Sequence, residues 1–389
     1  MLTCQRHLFS LPPNLHYLNC AYMSPLLKAV EEAGIAGIRR KRDPSSITPA
    51  AFFEDVQRVR ELFARLINAG DPYRIAVIPS VSYGMATVAK NTRIGPRQNI
   101  VIAHQQFPSN VYPWRRLAAT TGAKLRTVEP PDGTVRGEAW TTRLLESISR
   151  STRVVAIAPV HWTDGTRFDV EQIAARARDV GAAVVLDGTQ SIGAMPFDIE
   201  RVRPDALVCA GYKWLLGPYA IGLAYYGERY ERGIPVEETW MSRPASDDFG
   251  GLVRYRDKYR PGSIRYDVGE GSNFILMPML LAALKQIAAW GVGEIEQYCR
   301  SLSADFREEV RRLGYGVEND DWQAPHLFGL RMPPGVGRTD LQALLALRAL
   351  SVSVRGDAVR IAPHVYNDAS DMAVLLEVLR EAVATASAT

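Results

Sequence analysis

The sequence predicts an α/β fold: a mostly parallel seven-stranded sheet sandwiched by helices, followed by a smaller α+β C-terminal domain. Three observations carry this. Short β-branched apolar runs recur between residues 74 and 227, each the size of a buried strand. Amphipathic stretches of roughly 10–15 residues separate them, the spacing of βαβ crossovers. From about residue 277 the texture changes to long amphipathic helices interleaved with short strand-like pieces.

Taken in order, "RIAVIPS" (74–80) reads as the first strand, and "SYGMATVAKN" opens a helix behind it. "NIVIAHQ" (99–105) is the second, followed by the helical "SNVYPWRRLAATTG"; "AKLRTVEP" is the third and "TRVVAIAPV" (152–160) the fourth. "DVEQIAARARDVG" is a helix closed by Gly181, since glycine tolerates the left-handed backbone that ends helices. "AAVVLDG" (182–188), "ALVCAGY" (206–212) and "AIGLAYYG" (220–227) complete the seven. Beyond them, "PMLLAALKQIAAWG" and "IEQYCRSLSADFREEVRRLG" are long helices. "HLFGLRM", "SVSVRG" and "AVRIAP" are short strands, and "DASDMAVLLEVLREAVATA" is a closing helix.

With 389 residues, 47% hydrophobic and 23% charged, the chain has room for one large core and a smaller one. No apolar run reaches the ~18 residues of a membrane-spanning helix, and the N-terminus lacks signal-peptide order, so a cytoplasmic protein without a membrane partner is expected. A net charge of +4 is mild. The basic run "RRKRD" (39–43) reads as a solvated helix end and gives no reason to expect nucleic acid. The "RGD" at 355–357 is the kind of tripeptide that occurs by chance. Cys4, Cys20, Cys209 and Cys299 lie far apart with no metal-ligand spacing, and read as reduced thiols; no metal site is expected.

In a parallel sheet, functional residues collect just past the carboxyl ends of the strands. Ser82, Phe107, His161, Asp187 and Lys213 each fall there. Only seven lysines occur among 46 basic residues, yet Lys213 stands between Tyr212 and Trp214 in "CAGYKWLLGPYA". Desolvation there lowers an ammonium's pKa, and the neutral amine attacks carbonyls; the alternative is a lysine snorkelling to the surface. Asp187 ends the run "AVVL", where a carboxylate needs a cation or several donors. One such partner is the protonated ring nitrogen of pyridoxal phosphate (PLP); an N-cap or metal-ligand role is the alternative. "SVSY" (80–83) at a helix mouth offers a phosphate cradle, or simply a serine cap. Arg360, flanked by alternating apolar residues in "DAVRIAPHVYN", suits capture of a carboxylate; a surface salt bridge is the alternative.

"LDGTQSIGAMPFDI", with the lysine of "CAGYKWLLGP" 26 residues after its Asp, resembles the class V, fold-type I PLP enzymes. These include cysteine desulfurases, selenocysteine lyases, kynureninases, isopenicillin N epimerase and serine–glyoxylate-type aminotransferases. The resemblance runs from "HYLNCAYMSPL" (16–26) to "VRIAPHVYN" (359–367) and implies an N-terminal active-site segment (1–20), a large PLP-binding domain (21–276) and a small C-terminal domain (277–389). It implies that Lys213 holds PLP as an internal aldimine and then shuttles the Cα proton. It further implies that Asp187 pairs with the pyridine nitrogen, that Gln190 bonds the phenolic oxygen and that Phe107 stacks on the ring. Val81, Ser82 and Tyr212 match phosphate contacts. Gly271 and Ser272 match a loop lent across a homodimer interface, and Arg360 matches the grip on the substrate carboxylate. Asn19 and Trp162 match substrate-side positions. Beside the resemblance, Tyr22 and His161 are candidates for a second acid or base, a core-packed tyrosine and a capping histidine being the alternatives.

Departures narrow the reaction. Phe107 and Tyr212 stand where desulfurases carry histidines, and residues 300–389 contain no cysteine, which argues against transfer through an enzyme persulfide. The "YK" pair and the "RxxPxxYN" ending look closer to kynureninase and isopenicillin N epimerase. Transamination of a small amino acid is the favoured expectation. C–S or Cβ–Cγ lysis follows, then epimerisation, and outside enzymology a cofactor-binding scaffold.

Overall fold

A computed structural model of the protein describes residues 2–355 and 358–388. Gly356 and Asp357 of the RGD tripeptide lie outside the described residues. The seven expected strands all form: β1 (Ile75–Ile78), β2 (Asn99–Ala103), β3 (Lys124–Val128), β4 (Thr152–Ile157), β5 (Ala183–Asp187), β6 (Ala206–Ala210) and β7 (Gly222–Tyr226). They make one sheet in the order β3-β2-β4-β5-β6-β7-β1. Pairings β2–β3, β2–β4, β4–β5 and β5–β6 are parallel, whereas β7 runs antiparallel to both β6 and β1. Six strands therefore point their carboxyl ends to the same edge, as crossover helices require.

Strand periodicity divides the core between the two faces. In β2, Val101 and Ala103 pack with Phe63, Trp140 and Ile173, while Ile100 and Ile102 pack with Met85, Val88 and Trp114. α1 (Lys28–Arg40) packs on the helix Leu276–Trp290, and the helices covering the sheet include α2 (Glu54–Leu66), α3 (Val81–Lys90), α4 (Tyr112–Thr121), α5 (Gly137–Ser147) and α6 (Val170–Asp179). α1 ends in the exposed basic run, and Gly181 after α6 has φ +75°, as the sequence suggested.

The C-terminal part is α+β. β8 (Phe328–Arg331), β9 (Ser353–Arg355) and β10 (Ala358–Ile361) form an antiparallel sheet in the order β9-β10-β8. Its core joins Phe328, Leu330, Val359 and Ile361 to Phe306 and Val310 of one helix (Val292–Arg312) and Leu375 and Leu379 of another (Ala369–Ala388). The helix Leu276–Trp290, which the sequence placed with this part, instead sends Met277, Leu280, Leu281 and Leu284 into the core of the large sheet. Its mean hydropathy is that of a helix packed on several sides, and that packing decides its allegiance. The N-terminal segment belongs to the opposite neighbour. His16–Tyr17 pairs with Leu350–Ser351, and Asn19 bridges to Ala362. Among the described residues no single helix is long and apolar enough to cross a membrane.

Candidate active site

The carboxyl edge of the sheet carries a cavity of about 270 Å³. Each wall comes from the segment after a strand: Ser80, Val81 and Ser82 after β1, Phe107 after β2, Trp162 after β4, Asp187 at the end of β5, and Tyr212 and Lys213 after β6. Antiparallel β7 contributes from its amino end, through Tyr219 and Ala220.

Two turns bring the central pair together. The turn after β5 closes on Gly193 (φ +97°), where a Cβ would lie 2.3 Å from the Trp214 carbonyl oxygen; only glycine lets the Asp187 turn lie against the Lys213 turn. Gln190 then ties the two. Its Oε1 accepts from the Trp214 indole N–H (2.8 Å) and its Nε2 donates to the Ala21 carbonyl (3.1 Å), so the carboxamide has one orientation. Among the described residues, three of seven non-glycine residues with positive φ border this site: Gln105, Leu216 and Ala220. Backbone strain of that kind concentrates at functional sites.

Lys213 is 5% exposed, its Nζ 5.3 Å from the Phe107 ring centroid and 5.6 Å from that of Tyr212. Burial, with the nearby Arg360 charge, lowers its pKa to about 8, against the opposing pull of Asp187. Asp187 is buried and accepts from the Thr189 N–H (3.1 Å). Burial raises its pKa, opposed by Thr189 and by Lys213. Among the described residues no arginine pairs with it. The cavity thus has a buried acid beneath it, a partly neutral amine beside it and an aromatic ring over that amine. Opposite, Ser82 and Val81 open α3, whose N-cap Ser80 accepts from the Tyr83 N–H (3.2 Å) and touches Ser82 Oγ (2.9 Å). Free N–H groups at a helix start suit a phosphate. A heterocycle with a basic nitrogen, an aldehyde and a phosphate fits these groups.

The other predicted residues are placed differently. Arg360, 1% exposed, lies on β10 behind Trp162 and donates through Nη1 to its carbonyl oxygen (2.9 Å) and through Nη2 to Ser353 Oγ (3.4 Å); its Nε has no partner. Asn19 Oδ1 accepts from the same Ser353 hydroxyl (2.9 Å), so Asn19 and Arg360 form one layer next to the cavity. Trp162 reaches the wall by donating its indole N–H to the Gln105 carbonyl (2.6 Å) and stacks edge-on with Phe107 at 5.4 Å. Its neighbour His161 does not join it. The His161 ring is fully buried, with Nδ1 2.7 Å from Thr163 Oγ1, Nε2 3.0 Å from the His104 carbonyl and Trp140 packed against it at 5.0 Å. Both nitrogens are taken, so His161 fixes the loop that aims Trp162. Tyr22 is 56% exposed and off the wall. Gly271 and Ser272 also lie outside the cavity; Gly271 donates to the Val268 carbonyl and Ser272 contacts Met241. Ser80, of the expected cradle, lines the cavity as the cap of α3, and Ser109, Thr189 and Tyr219 line it with no signal in the sequence that marked them.

The class-V aminotransferase family profile matches residues 45–360, and the chain belongs to that family. It is 25% identical to an uncharacterized aminotransferase of Bacillus subtilis over 325 residues (82% of this chain, 81% of that one). It is 27% identical to isopenicillin N epimerase of Streptomyces clavuligerus over 335 residues (83% of each). Among solved structures, C-DES carrying glycine covalently linked to its PLP cofactor superposes with a TM-score of 0.86 at 21% identity, covering 97% of this chain and 100% of that one. The apo cysteine desulfurase of Thermococcus onnurineus gives 0.83 at 22%, covering 99% of both. The protein is a fold-type I, PLP-dependent enzyme, a transferase or lyase.

Proposed function

We propose that this class V enzyme transaminates a small amino acid, with Lys213 as the amine that binds the cofactor carbonyl and afterwards moves the Cα proton. One observation carries the reading: Lys213 and Asp187 share one cavity, and the titratable groups on its wall are otherwise only the tyrosines Tyr212 and Tyr219. Bound there, PLP supplies an electron sink conjugated to the substrate amine.

The chain's own groups supply the rest. Asp187, held in a dry site, would keep a proton on the ring nitrogen paired with it, because separating the pair would leave a bare buried carboxylate. Gln190, locked by Trp214 and Ala21, would offer its remaining N–H to the ring oxygen. Phe107 would stack on the ring, and Ser82, Val81 and Tyr212 would hold the phosphate. A second copy of the chain in a homodimer completes that site with Gly271 and Ser272. Arg360 receives the substrate carboxylate, with Asn19 beside it, and Lys213, close enough to feel its charge, stands at the α-carbon.

A lone lysine removes and returns a proton on one face, which is what transamination needs. Epimerisation needs a base on the other face. Tyr212 is a poor one, since burial raises its pKa further. Thiol-carried sulfur chemistry needs a cysteine in the cavity; Cys20, Cys209 and Cys299 are buried elsewhere, and burial raises the pKa of each.

The test is to mix holoenzyme with a panel of amino acids and follow products. A keto acid with the pyridoxamine form of the cofactor supports the reading. A released side-chain fragment with pyruvate or alanine replaces it by lysis, and inverted configuration with solvent deuterium at Cα by epimerisation.

A further inference from the structure

The β9–β10 hairpin sets two arginines against Trp162, next to the cavity. Ser353 pairs directly with Arg360, so the two share a face of the hairpin. Arg355, two residues along β9, points from that same face. The side chains bear this out: the Arg355 and Arg360 guanidinium carbons lie 5.9 and 6.0 Å from the centroid of one ring, that of Trp162, which lines the cavity. Arg355 is partly buried, and its guanidinium donates to the carbonyl of its own neighbour Val354 (3.0 Å).

Elsewhere in the C-terminal part, arginines reach carboxylates: Arg331 to Asp164 at 3.6 Å and Arg348 to Glu377 at 3.4 Å. Among the described residues neither Arg355 nor Arg360 does. Two like charges sharing one aromatic ring repel, and the field of both reaches Lys213, whose ammonium they disfavour along with burial. A single α-carboxylate neutralises only one of them.

We propose that the substrate carries a second anionic group on its side chain, held by Arg355, while Arg360 takes the α-carboxylate. This rests on the reading of Arg360 given above and narrows the substrate class to acidic amino acids. Trp162, between the two guanidinium groups and the cavity, sets the spacing of the two anions.

The test separates binding from turnover. Holoenzyme is titrated with succinate, glutarate and butyrate, followed by calorimetry and by cofactor absorbance. These probes lack an amine, so their affinity is independent of the reaction catalysed. Dicarboxylates are expected to bind at least about 10-fold tighter than butyrate, the effect of one charge-assisted contact. In Arg355→Gln, shown by circular dichroism and cofactor content to be folded and loaded, that advantage disappears; Arg355→Lys keeps part of it. In kinetics, aspartate, glutamate or phosphoserine outperforms asparagine, glutamine and alanine, and the best of the three identifies the side-chain anion. Equal binding of succinate and butyrate, an advantage that survives in Arg355→Gln, or preference for the neutral amino acids overturns the proposal and leaves transamination standing. Selectivity for dicarboxylates without any keto acid product overturns transamination and leaves this proposal standing.

Discussion

Beneath β1, Arg60 and Asp267 form a buried ion pair. Arg60 also donates to the Ile75 carbonyl, and Asp267 Oδ1 accepts from the Val77 N–H at 2.8 Å. Arg136 and Asp164 repeat the pattern: burial raises the Asp164 pKa, but His161, Arg136 and the Thr166 donors more than reverse it and hold the carboxyl below its usual range. In and beside the cavity the arrangement inverts. Asp187, Lys213 and Arg360 are buried too, yet among the described residues no ion pair joins them. Paired charges hold the β1 edge and the β4 loop in place. Unpaired ones, which the fold must bury at a cost, wait for a ligand to pair them.

This contrast can be broken by mutation. The largest effect falls on the unpaired side: Lys213→Ala lowers turnover by about 10²–10⁴-fold while the protein remains folded, checked by kinetics and circular dichroism. Arg60→Ala does the reverse. It strands a buried carboxylate and lowers unfolding stability by about 3–5 kcal/mol in urea titration, whereas Asp187→Asn leaves the stability of cofactor-free protein unchanged or higher and weakens cofactor retention. Similar urea midpoints for the Arg60 and Asp187 variants would erase the distinction. Arg360→Gln raises the KM for amino acids by about 10–150-fold, corresponding to charge-assisted bonds of about 1.5–3 kcal/mol. Trp214→Phe frees the Gln190 carboxamide to turn and costs about 1 kcal/mol of cofactor affinity.

The smallest effect is in pH. Lys213 titrates near 8 in the fold and at its ordinary 10.5 when unfolded. Between those values the unfolded chain holds more protons at this site, so Lys213 contributes a stability that grows with pH from about 8 toward 10.5, opposite in sign to the contribution of the buried thiols, whose pKa values are raised. Lys213→Met removes the Lys213 contribution, so the stability difference between variant and parent changes across the window in urea titrations.

Most strands were legible because they are short apolar runs, often bounded by Gly, Pro or Asn, and a sheet whose central strands are buried on both faces demands such runs. Asp187, Lys213 and Phe107 were legible because topology puts strand ends at one edge. Long-range pairing was not. Nothing local in His16–Tyr17 announces that it pairs with Leu350–Ser351, and a helix as apolar as Leu276–Trp290 does not say which core it enters. His161 and Trp162 show the remaining difficulty. The two adjoin in one loop, yet only Trp162 faces the cavity, and the Gln105 and His104 carbonyls decide it. Arg355 was visible only as part of a chance tripeptide; the register that sets it beside Arg360 belongs to the folded hairpin.

The most direct measurement is borohydride reduction of the purified holoenzyme, followed by peptide mapping of the trapped cofactor. The seven lysines make it unambiguous. The phosphopyridoxyl group is predicted on the peptide containing Lys213, with none recovered from Lys213→Ala. Recovery of the label on any other lysine, or retention of trapped cofactor by the variant, would contradict the account.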